Sequence, residues 1–150
     1  MKSAVFAQAV ASLLAFASAA SYCPSRAATD AEQLTILNEF VDKFYVKHNV
    51  TQALMDHIDV NYIEHDPNGL SGRQNAINGL VNFIPLTNQT IMHKAMFNGV
   101  GWLHFREDAP GSPYTNAIVD VFRFNGTCIM EHWDVSQPKM PNATNPLAMW

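Results

Sequence analysis

Charged residues are scarce in this sequence, and their distribution excludes one class of partner. Only 15% of the 150 residues are Asp, Glu, Lys or Arg, below the usual share of about a quarter. The nine basic residues lie singly along the chain, and the formal net charge is −4. Because a nucleic-acid surface needs clustered basic side chains, we expect no nucleic-acid partner.

Several signatures of function are missing as well. The sequence has no repeat, no low-complexity stretch, no glycine-rich phosphate loop and no G-x-S-x-G nucleophile elbow. Hydrophobic residues make up 48% of the chain and aromatic residues 11%, which is enough for one buried core. A chain of this length forms one domain. So apolar a composition predicts an interior cavity or a partner surface.

The longest apolar run is at the N-terminus and is too short to cross a membrane. Lys2 precedes residues 4–17, which are apolar apart from Gln8 and Ser12, and the small residues Ala17-Ser18-Ala19 follow. This is the pattern of a signal peptide with its cleavage site. We predict a signal peptide over residues 1–20 and a mature protein that is secreted or lies in the secretory lumen. No membrane partner is expected after cleavage.

Cysteines are equally few, and their number fits that compartment. Cys23 and Cys128 are an even pair, which in an oxidising environment predicts one disulfide closing a loop of about a hundred residues. Two free buried thiols are the alternative. Four Asn-x-Thr sequons predict N-glycosylation at Asn49, Asn88, Asn125 and Asn142, although Asn125 lies in a tight turn.

The N-terminal half of the mature chain is predicted to be helical. We expect an N-terminal arm over residues 21–29, a domain over residues 30–137 and a tail over residues 138–150. Apolar residues at three- and four-residue steps predict a first helix over residues 30–47, capped by Thr29 or Asp30. A second helix is predicted over residues 50–58 with Thr51 as its cap. A third covers residues 73–83 and ends before Pro85.

The C-terminal half changes to the two-residue period of β-strands. A short extended run over residues 60–65 ends at the turn Asp66-Pro67-Asn68-Gly69. Asn98-Gly99 and Asn125-Gly126 predict tight hairpins between later strands. Those strands are predicted over residues 90–97, 100–106, 115–124 and 127–135. Helices followed by an antiparallel sheet predict an α+β domain with helices on one face.

The register of the last hairpin determines which polar residues share a face. A two-residue loop would pair Phe124 with Thr127 and place Asp120 beside Glu131. A three-residue loop with Gly126 in a bulge would place Asp120 on one face with Met130, His132 and Asp134. The sequence leaves both registers open, and we favour the second. It makes Asp120 and Asp134 neighbours. Two carboxylates in an apolar pocket push each other's pKa values apart, so that one acts as an acid and the other as a base.

Five segments together carry a resemblance to a known family: Tyr62-Ile63-Glu64-His65-Asp66-Pro67, Gly72-Arg73, Val119-Asp120-Val121-Phe122-Arg123, Asn125-Gly126 and Glu131-His132-Trp133-Asp134-Val135. They resemble the SnoaL-like polyketide cyclases of the NTF2-like superfamily, over roughly residues 32–137. The resemblance implies a cone-shaped α+β barrel, with three N-terminal helices packed on a curved antiparallel sheet. It also implies cofactor-independent chemistry in which an acidic residue of the last strand acts in the pocket. Asp134 matches that position, and Asp120 lies where the cyclases carry a histidine.

These observations predict a site with one main acid/base. We expect Asp134 to be that group, Asp120 its partner and His65 a third catalytic residue. The alternative is that Arg106 or Arg123 neutralises Asp120, while Asp134 caps a strand end. Tyr62 would orient the substrate, and six further residues are expected to contact it: His93, Trp102, His104, Phe122, Met130 and His132. The three histidines among these could hold a metal ion with the carboxylates, but their spacing is not that of a metal motif, so we predict neither metal nor cofactor.

The expected function is a lyase, isomerase or cyclase that acts on a small hydrophobic carbonyl compound of polyketide type. A non-catalytic secreted binder of an apolar ligand is the first alternative. An epoxide hydrolase is the second, and it would need Arg106 or Arg123 to point inward. We expect a homodimer formed through the outer face of the sheet.

Overall fold

The computed structural model describes residues 21–145, Leu147, Met149 and Trp150. The predicted signal peptide, residues 1–20, lies outside the described residues. Within the described part of the chain, no helix is long and apolar enough to cross a membrane.

Three helices form the first half of the domain, as the apolar periodicity predicts. Helix α1 spans Asp30–Val41 and continues into a π-helical turn at Asp42–Val46, α2 spans Val50–His57, and α3 spans Arg73–Leu80. The Thr29 side chain caps α1 by accepting a hydrogen bond from the Glu32 amide, as expected from the sequence. Thr51 is not the cap of α2, because it lies inside the helix, which begins at Val50 and has Asn49 in the cap position.

The second half is a five-stranded sheet. Strand β1 covers Ile58–Glu64, β2 Asn88–Phe97, β3 Val100–Asp108, β4 Asn116–Asn125 and β5 Cys128–Pro138. Their order across the sheet is β1-β5-β4-β3-β2. The pairs from β2 to β5 are antiparallel, as predicted, but β1 is parallel to β5, so the sheet is mixed. Between β1 and β2 the chain passes through α3 and a 3₁₀ turn at Ile84–Leu86, which carries it across the sheet to the far edge.

The last hairpin takes a register that neither sequence alternative describes. Its loop is Gly126–Thr127, since Asn125 pairs with Cys128. Before Glu131 the register shifts, so Arg123 pairs with Glu131 while Phe124 pairs with Ile129, and Met130 is the extra residue of a bulge. Beyond this one-residue shift, Asp120 shares a face with His132 and Asp134, as in the register that we favoured. As a result Asp120 lies directly opposite Asp134.

The core lies between the helices and the concave face of the sheet. Alternate residues of β3, including Leu103 and Phe105, are buried while their neighbours are partly or fully exposed. The Phe40 ring of α1 packs edge-on against Phe122 of β4, with ring centroids 5.3 Å apart. These contacts fix the helical layer over the sheet by burying apolar surface.

An N-terminal arm, residues 21–29, fastens the helical layer to the last hairpin. Cys23 and Cys128 form a disulfide. Beside it, the Thr127 amide donates to the Arg26 carbonyl, and the Thr127 hydroxyl donates to the Tyr22 carbonyl at 2.7 Å. Gly126 has a φ of +52°, and a Cβ at this position would collide with the Arg26 carbonyl. The arm therefore depends on a glycine in this turn.

The C-terminal tail reaches the outer face of the sheet. Trp150 lies parallel to the His104 ring with centroids 6.4 Å apart, and the Arg106 guanidinium lies 5.6 Å from the Trp150 ring. The four sequon asparagines, Asn49, Asn88, Asn125 and Asn142, are all exposed. Their glycosylation stays a prediction.

Candidate active site

A cavity of about 650 Å³ lies between the helices and the concave face of the sheet. Apolar side chains from all layers line it, among them Phe44, Leu54, Ile58, Phe105 and Ile118. Its polar side chains come from all five strands, from the turn after β1, from α3 and from the π-helical turn. This combination of apolar walls and a few convergent polar groups is typical of a small-molecule site.

Strands β4 and β5 bring three titratable side chains to one wall of this cavity. Asp120 and Asp134 are direct partners across the strands, and His132 is two residues from Asp134 on the same face. One ligand atom from each of the three lies within 4.8 Å of the others. All three line the cavity. The Met130 bulge puts them on the inner face, because a one-residue shift exchanges the two faces of a strand.

His132 lies between two carboxylates. Its Nδ1 is 2.9 Å from Glu64 Oε1, and its Nε2 is 3.5 Å from Asp120 Oδ1. Burial disfavours the charged imidazolium, but the interactions with Asp120 and Glu64 outweigh burial and raise the pKa of His132 to about 10. At neutral pH His132 is therefore a cation with two N–H donors. The Nε2 proton is the less engaged one, because 3.5 Å is long for a hydrogen bond.

Glu64 is held by the turn that follows β1. It is the parallel-strand partner of His132, and its carboxylate accepts hydrogen bonds from the backbone amides of His65 and Asp66. Tyr62 donates its hydroxyl proton to Glu64 at 2.6 Å. Burial would raise the pKa of Glu64, but His132, Tyr62 and the Asp66 amide together lower it. Burial and the neighbouring Glu64 carboxylate raise the pKa of Tyr62, so its phenol remains neutral.

Asp120 has its own phenol partner. Tyr45, in the π-helical turn after α1, donates a hydrogen bond to Asp120 Oδ2. Complete burial and the charge of Asp120 raise the pKa of Tyr45 well above its ordinary value. Asp120 is thus fixed between a neutral phenol and the His132 cation. This arrangement suits a group that orients His132 better than one that moves protons.

Asp134 is the carboxyl group of this cluster that is held least by neighbouring groups. Burial, and then the negative charge of Asp66, raise its pKa, and the nearby His132 cation only partly opposes them. In the described part of the chain it forms no hydrogen bond or ion pair that would hold its carboxylate. A partly buried carboxylate with a raised pKa is the usual form of a general base.

The same three residues are the ones that could hold a metal ion. Asp120, His132 and Asp134 have the right donor atoms and lie close together. However, metal ligation needs a neutral imidazole, and the pKa of His132 is raised to about 10. The proton on His132 therefore competes with a metal at neutral pH.

Five of the residues predicted for the site do not line the cavity. His65 is on the outer face, where it stacks on Trp133 at 4.3 Å and lies 3.0 Å from Glu131. The chain turns after Glu64, so His65 points away from the cavity. Trp102 and His104 also occupy the outer face, because they alternate with the buried residues of β3. His93 joins them because the register of β2 shifts between Ile91 and His93, which pairs His93 with His104. Met130 is the bulge residue and does not line the cavity. Among the predicted substrate contacts, those that line the cavity are Tyr62, Phe122 and His132.

The arginines that could have neutralised Asp120 bind other carboxylates. Arg106 forms an ion pair with Asp108 at 2.9 Å, and Arg123 forms one with Glu131. Neither lines the cavity. The epoxide hydrolase alternative required one of them to point inward, so its main structural condition is not met.

Sequence reasoning missed several polar groups of the cavity, among them Glu64, Tyr45, Glu107 and Gln89. Glu64 belongs to one of the segments that carry the family resemblance, but the sequence predicts a catalytic role for its neighbour His65 instead. Tyr45 lies within the predicted first helix, residues 30–47, and a phenol among its periodic apolar residues is the available signal. Glu107 and Gln89 occupy the far end of β2 and β3. The alternation Leu103, Phe105, Glu107 along β3 could have placed Glu107 inside.

Comparison with known proteins identifies the fold. No protein-family model and no curated protein matches the sequence. Among solved structures, an NTF2-like protein of unknown function from Burkholderia xenovorans is 11% identical with a TM-score of 0.63, covering 76% of this chain and 89% of that one. A candidate ketosteroid isomerase from Kribbella flavida is 8% identical with a TM-score of 0.63, covering 78% and 83%. A candidate polyketide cyclase from Acidithiobacillus ferrooxidans is 18% identical with a TM-score of 0.55, covering 70% and 87%.

These similarities confirm the predicted fold. The chain has the α+β fold of the NTF2-like and SnoaL-like proteins, with three helices on a curved five-stranded sheet. Identities this low concern the fold alone, so the chemistry must be argued from the residues of the cavity.

Proposed function

We propose that this NTF2-like protein is a cofactor-independent enzyme that moves a proton at the carbon next to a carbonyl group. One observation carries the proposal: Asp120, His132 and Asp134 meet within 4.8 Å at the wall of a cavity of about 650 Å³. They combine a candidate base with a candidate electrophile. The solved structures of a candidate ketosteroid isomerase and a candidate polyketide cyclase with the same fold support the proposal.

The proposed step divides the chemistry between two side chains. Asp134 removes the proton from the α-carbon, and the electron pair of the broken C–H bond forms the enolate. His132 donates its Nε2 proton as a hydrogen bond to the developing enolate oxygen. Return of the proton from Asp134 to a different carbon gives isomerisation. Attack of the enolate carbon on a second carbonyl of the same molecule gives cyclisation, and the proton that Asp134 took up is delivered to the new alkoxide.

The remaining groups position these two. Glu64 and Asp120 hold the His132 imidazolium from both sides. The ring is therefore kept in place, where it can stabilise the negative charge of the enolate. Tyr45 donates a hydrogen bond to Asp120 and Tyr62 donates one to Glu64, so each carboxylate that faces His132 also has a phenol partner. The apolar walls exclude water, which strengthens each electrostatic interaction in the site.

Deuterium exchange tests the proposal without knowledge of the natural substrate. The full mature protein is incubated in D₂O with 2-acetylnaphthalene, 1-tetralone and cyclohexanone, and loss of the α-proton signals is followed by NMR. We expect exchange above the buffer rate for at least one ketone and a loss of about 100-fold or more in Asp134→Asn. His65→Gln is the matched control and should retain the wild-type rate.

Exchange at the buffer rate for every ketone would contradict the proposal. So would an Asp134→Asn variant as active as the wild type. In the first case, tight binding of the same ketones would favour the non-catalytic ligand carrier.

Secretion is part of the proposal. The Cys23–Cys128 disulfide supports an oxidising compartment, since disulfides persist there. Expression of the complete sequence in a eukaryotic secretory host, with N-terminal sequencing of the product, should give a chain that starts near Ser21. Retention of Met1 on a protein found only inside the cell would contradict it.

A further inference from the structure

The cavity has a second polar end that the proposed chemistry does not use. Gln89 of β2 and Glu107 of β3 are cross-strand partners and both line the cavity. Gln89 Nε2 donates to Glu107 Oε2 at 3.3 Å. Glu107 is buried, with 7% of its surface exposed. A carboxyl group is seldom buried in this way without a reason.

One atom of this pair has no hydrogen-bond partner. The Gln89 Oε1 atom is buried, and within the described residues nothing donates to it. Buried polar atoms are nearly always satisfied, because each unmet one costs free energy on folding. Burial raises the pKa of Glu107, and the Asp120 charge adds to this, whereas the Gln89 and Asn116 contacts oppose it. The pair therefore offers a free acceptor beside a buried carboxyl group whose pKa is raised.

An apolar strip separates this end from the proposed reaction site. Three cross-strand pairs of β3 and β4 follow one another on the inner face: Leu103 with Asp120, Phe105 with Ile118, and Glu107 with Asn116. Successive rows are two residues apart, so the outer two are separated by roughly 13 Å of strand. Phe105 and Ile118 form the middle of the wall.

This order of surfaces defines what a ligand must carry. We propose that the substrate is a hydroxylated carbonyl compound whose rigid apolar middle lies on Phe105 and Ile118, and whose distal hydroxyl group binds Gln89 and Glu107. A hydroxyl group can donate its proton to Gln89 Oε1, which has no partner within the described residues, while its oxygen lies beside the Glu107 carboxyl group. The inference rests on the proposed function for the orientation of the carbonyl group toward His132.

Glu107 and Gln89 would thus determine specificity and not rate. A site built to hydrogen-bond a hydroxyl group discriminates strongly against the analogue that lacks it, because its polar groups then stay unpaired. The apolar middle alone would not discriminate between the two.

A pair of ligands that differ by one hydroxyl group tests the inference. Binding of 6-hydroxy-2-acetylnaphthalene and 2-acetylnaphthalene to the full mature protein is measured by calorimetry. We expect the hydroxylated ketone to bind about tenfold more tightly, as for one satisfied buried hydrogen bond. In Gln89→Leu the two ligands should bind equally. Thr90→Ser, at the neighbouring exposed position, is the control. Serine keeps the sequon of Asn88, and the variant should keep the preference.

The outcomes separate this inference from the proposed function. Equal affinities in the wild type, no binding of either ligand, or a preference that survives in Gln89→Leu would each overturn the inference. The wild-type comparison needs no variant, so misfolding of Gln89→Leu cannot rescue it. Asp134→Asn should keep the tenfold preference while losing α-proton exchange. A preference without any exchange in the wild type would overturn the proposed function and leave the second polar end in place.

Discussion

At the scale of single residues, the protonation of His132 governs the site. Its pKa is raised from the ordinary 6.5 to about 10 because Asp120 and Glu64 flank it and outweigh its burial. The folded state thus binds a proton that the unfolded chain releases earlier. A raised histidine pKa adds stability that is fully present below pH 6.5 and is lost as the pH rises to about 10.

We therefore expect the free energy of unfolding to fall between pH 7 and pH 10. The slope due to His132 should approach, at most, about 1.4 kcal/mol per pH unit. Urea unfolding at several pH values measures it, and His132→Gln should flatten the profile in this interval. His104→Gln is the control, since His104 lies on the outer face. A profile that is equally steep in His132→Gln would contradict the assigned protonation state.

At the scale of structural elements, the turn between β4 and β5 carries a local constraint. Gly126 has a positive φ, and the Arg26 carbonyl of the arm occupies the place where a Cβ would lie. The backbone of both segments is held by hydrogen bonds, so neither can move aside cheaply.

Gly126→Ala should lower the free energy of unfolding by about 2 kcal/mol or more, from the left-handed conformation together with the collision. Gly79→Ala is the matched control. Gly79 lies in α3 with open space around its Cα, so alanine there should raise stability by about 0.5–1 kcal/mol. Thermal unfolding measures both. A Gly126→Ala variant as stable as the wild type would show that the arm does not pack on this turn.

At the scale of the whole molecule, the disulfide connects two distant parts of the chain. Cys23 and Cys128 are separated by 105 residues, so the bond closes a loop that includes most of the domain. In the chain-entropy account, a loop of this length restricts the unfolded chain by about 4–5 kcal/mol.

The double variant Cys23→Ser with Cys128→Ser should therefore be less stable by up to that amount. Reduction of the wild type with dithiothreitol should give a similar loss, and the double variant should not respond to the reductant. Urea unfolding with and without reductant checks this. An unchanged midpoint in the double variant would contradict a stabilising role of the bond.

The outer face of the sheet bears on assembly. Trp102, Trp133 and Val135 are exposed there, so the face carries apolar surface. The homodimer expected from the sequence stays a prediction. Light scattering should give twice the monomer mass for the wild type and the monomer mass for Val135→Lys with Trp133→Lys. A monomeric wild type at high protein concentration would contradict it.

The sequence by itself determined the local features. The period of apolar residues defined α1, the Asn98-Gly99 pair defined a two-residue hairpin, and Thr29 defined a helix cap, because each depends on interactions within a few residues. The five segments that carry the family resemblance, taken together, predicted the NTF2-like fold. Tertiary structure decided the rest. Strands that are distant in sequence determine the bulge at Met130 and the parallel pairing of β1. They also determine that Glu64 faces the cavity while His65 lies on the outer face. A one-residue shift moves a side chain from solvent into the cavity, and only the neighbouring strand decides where that shift occurs.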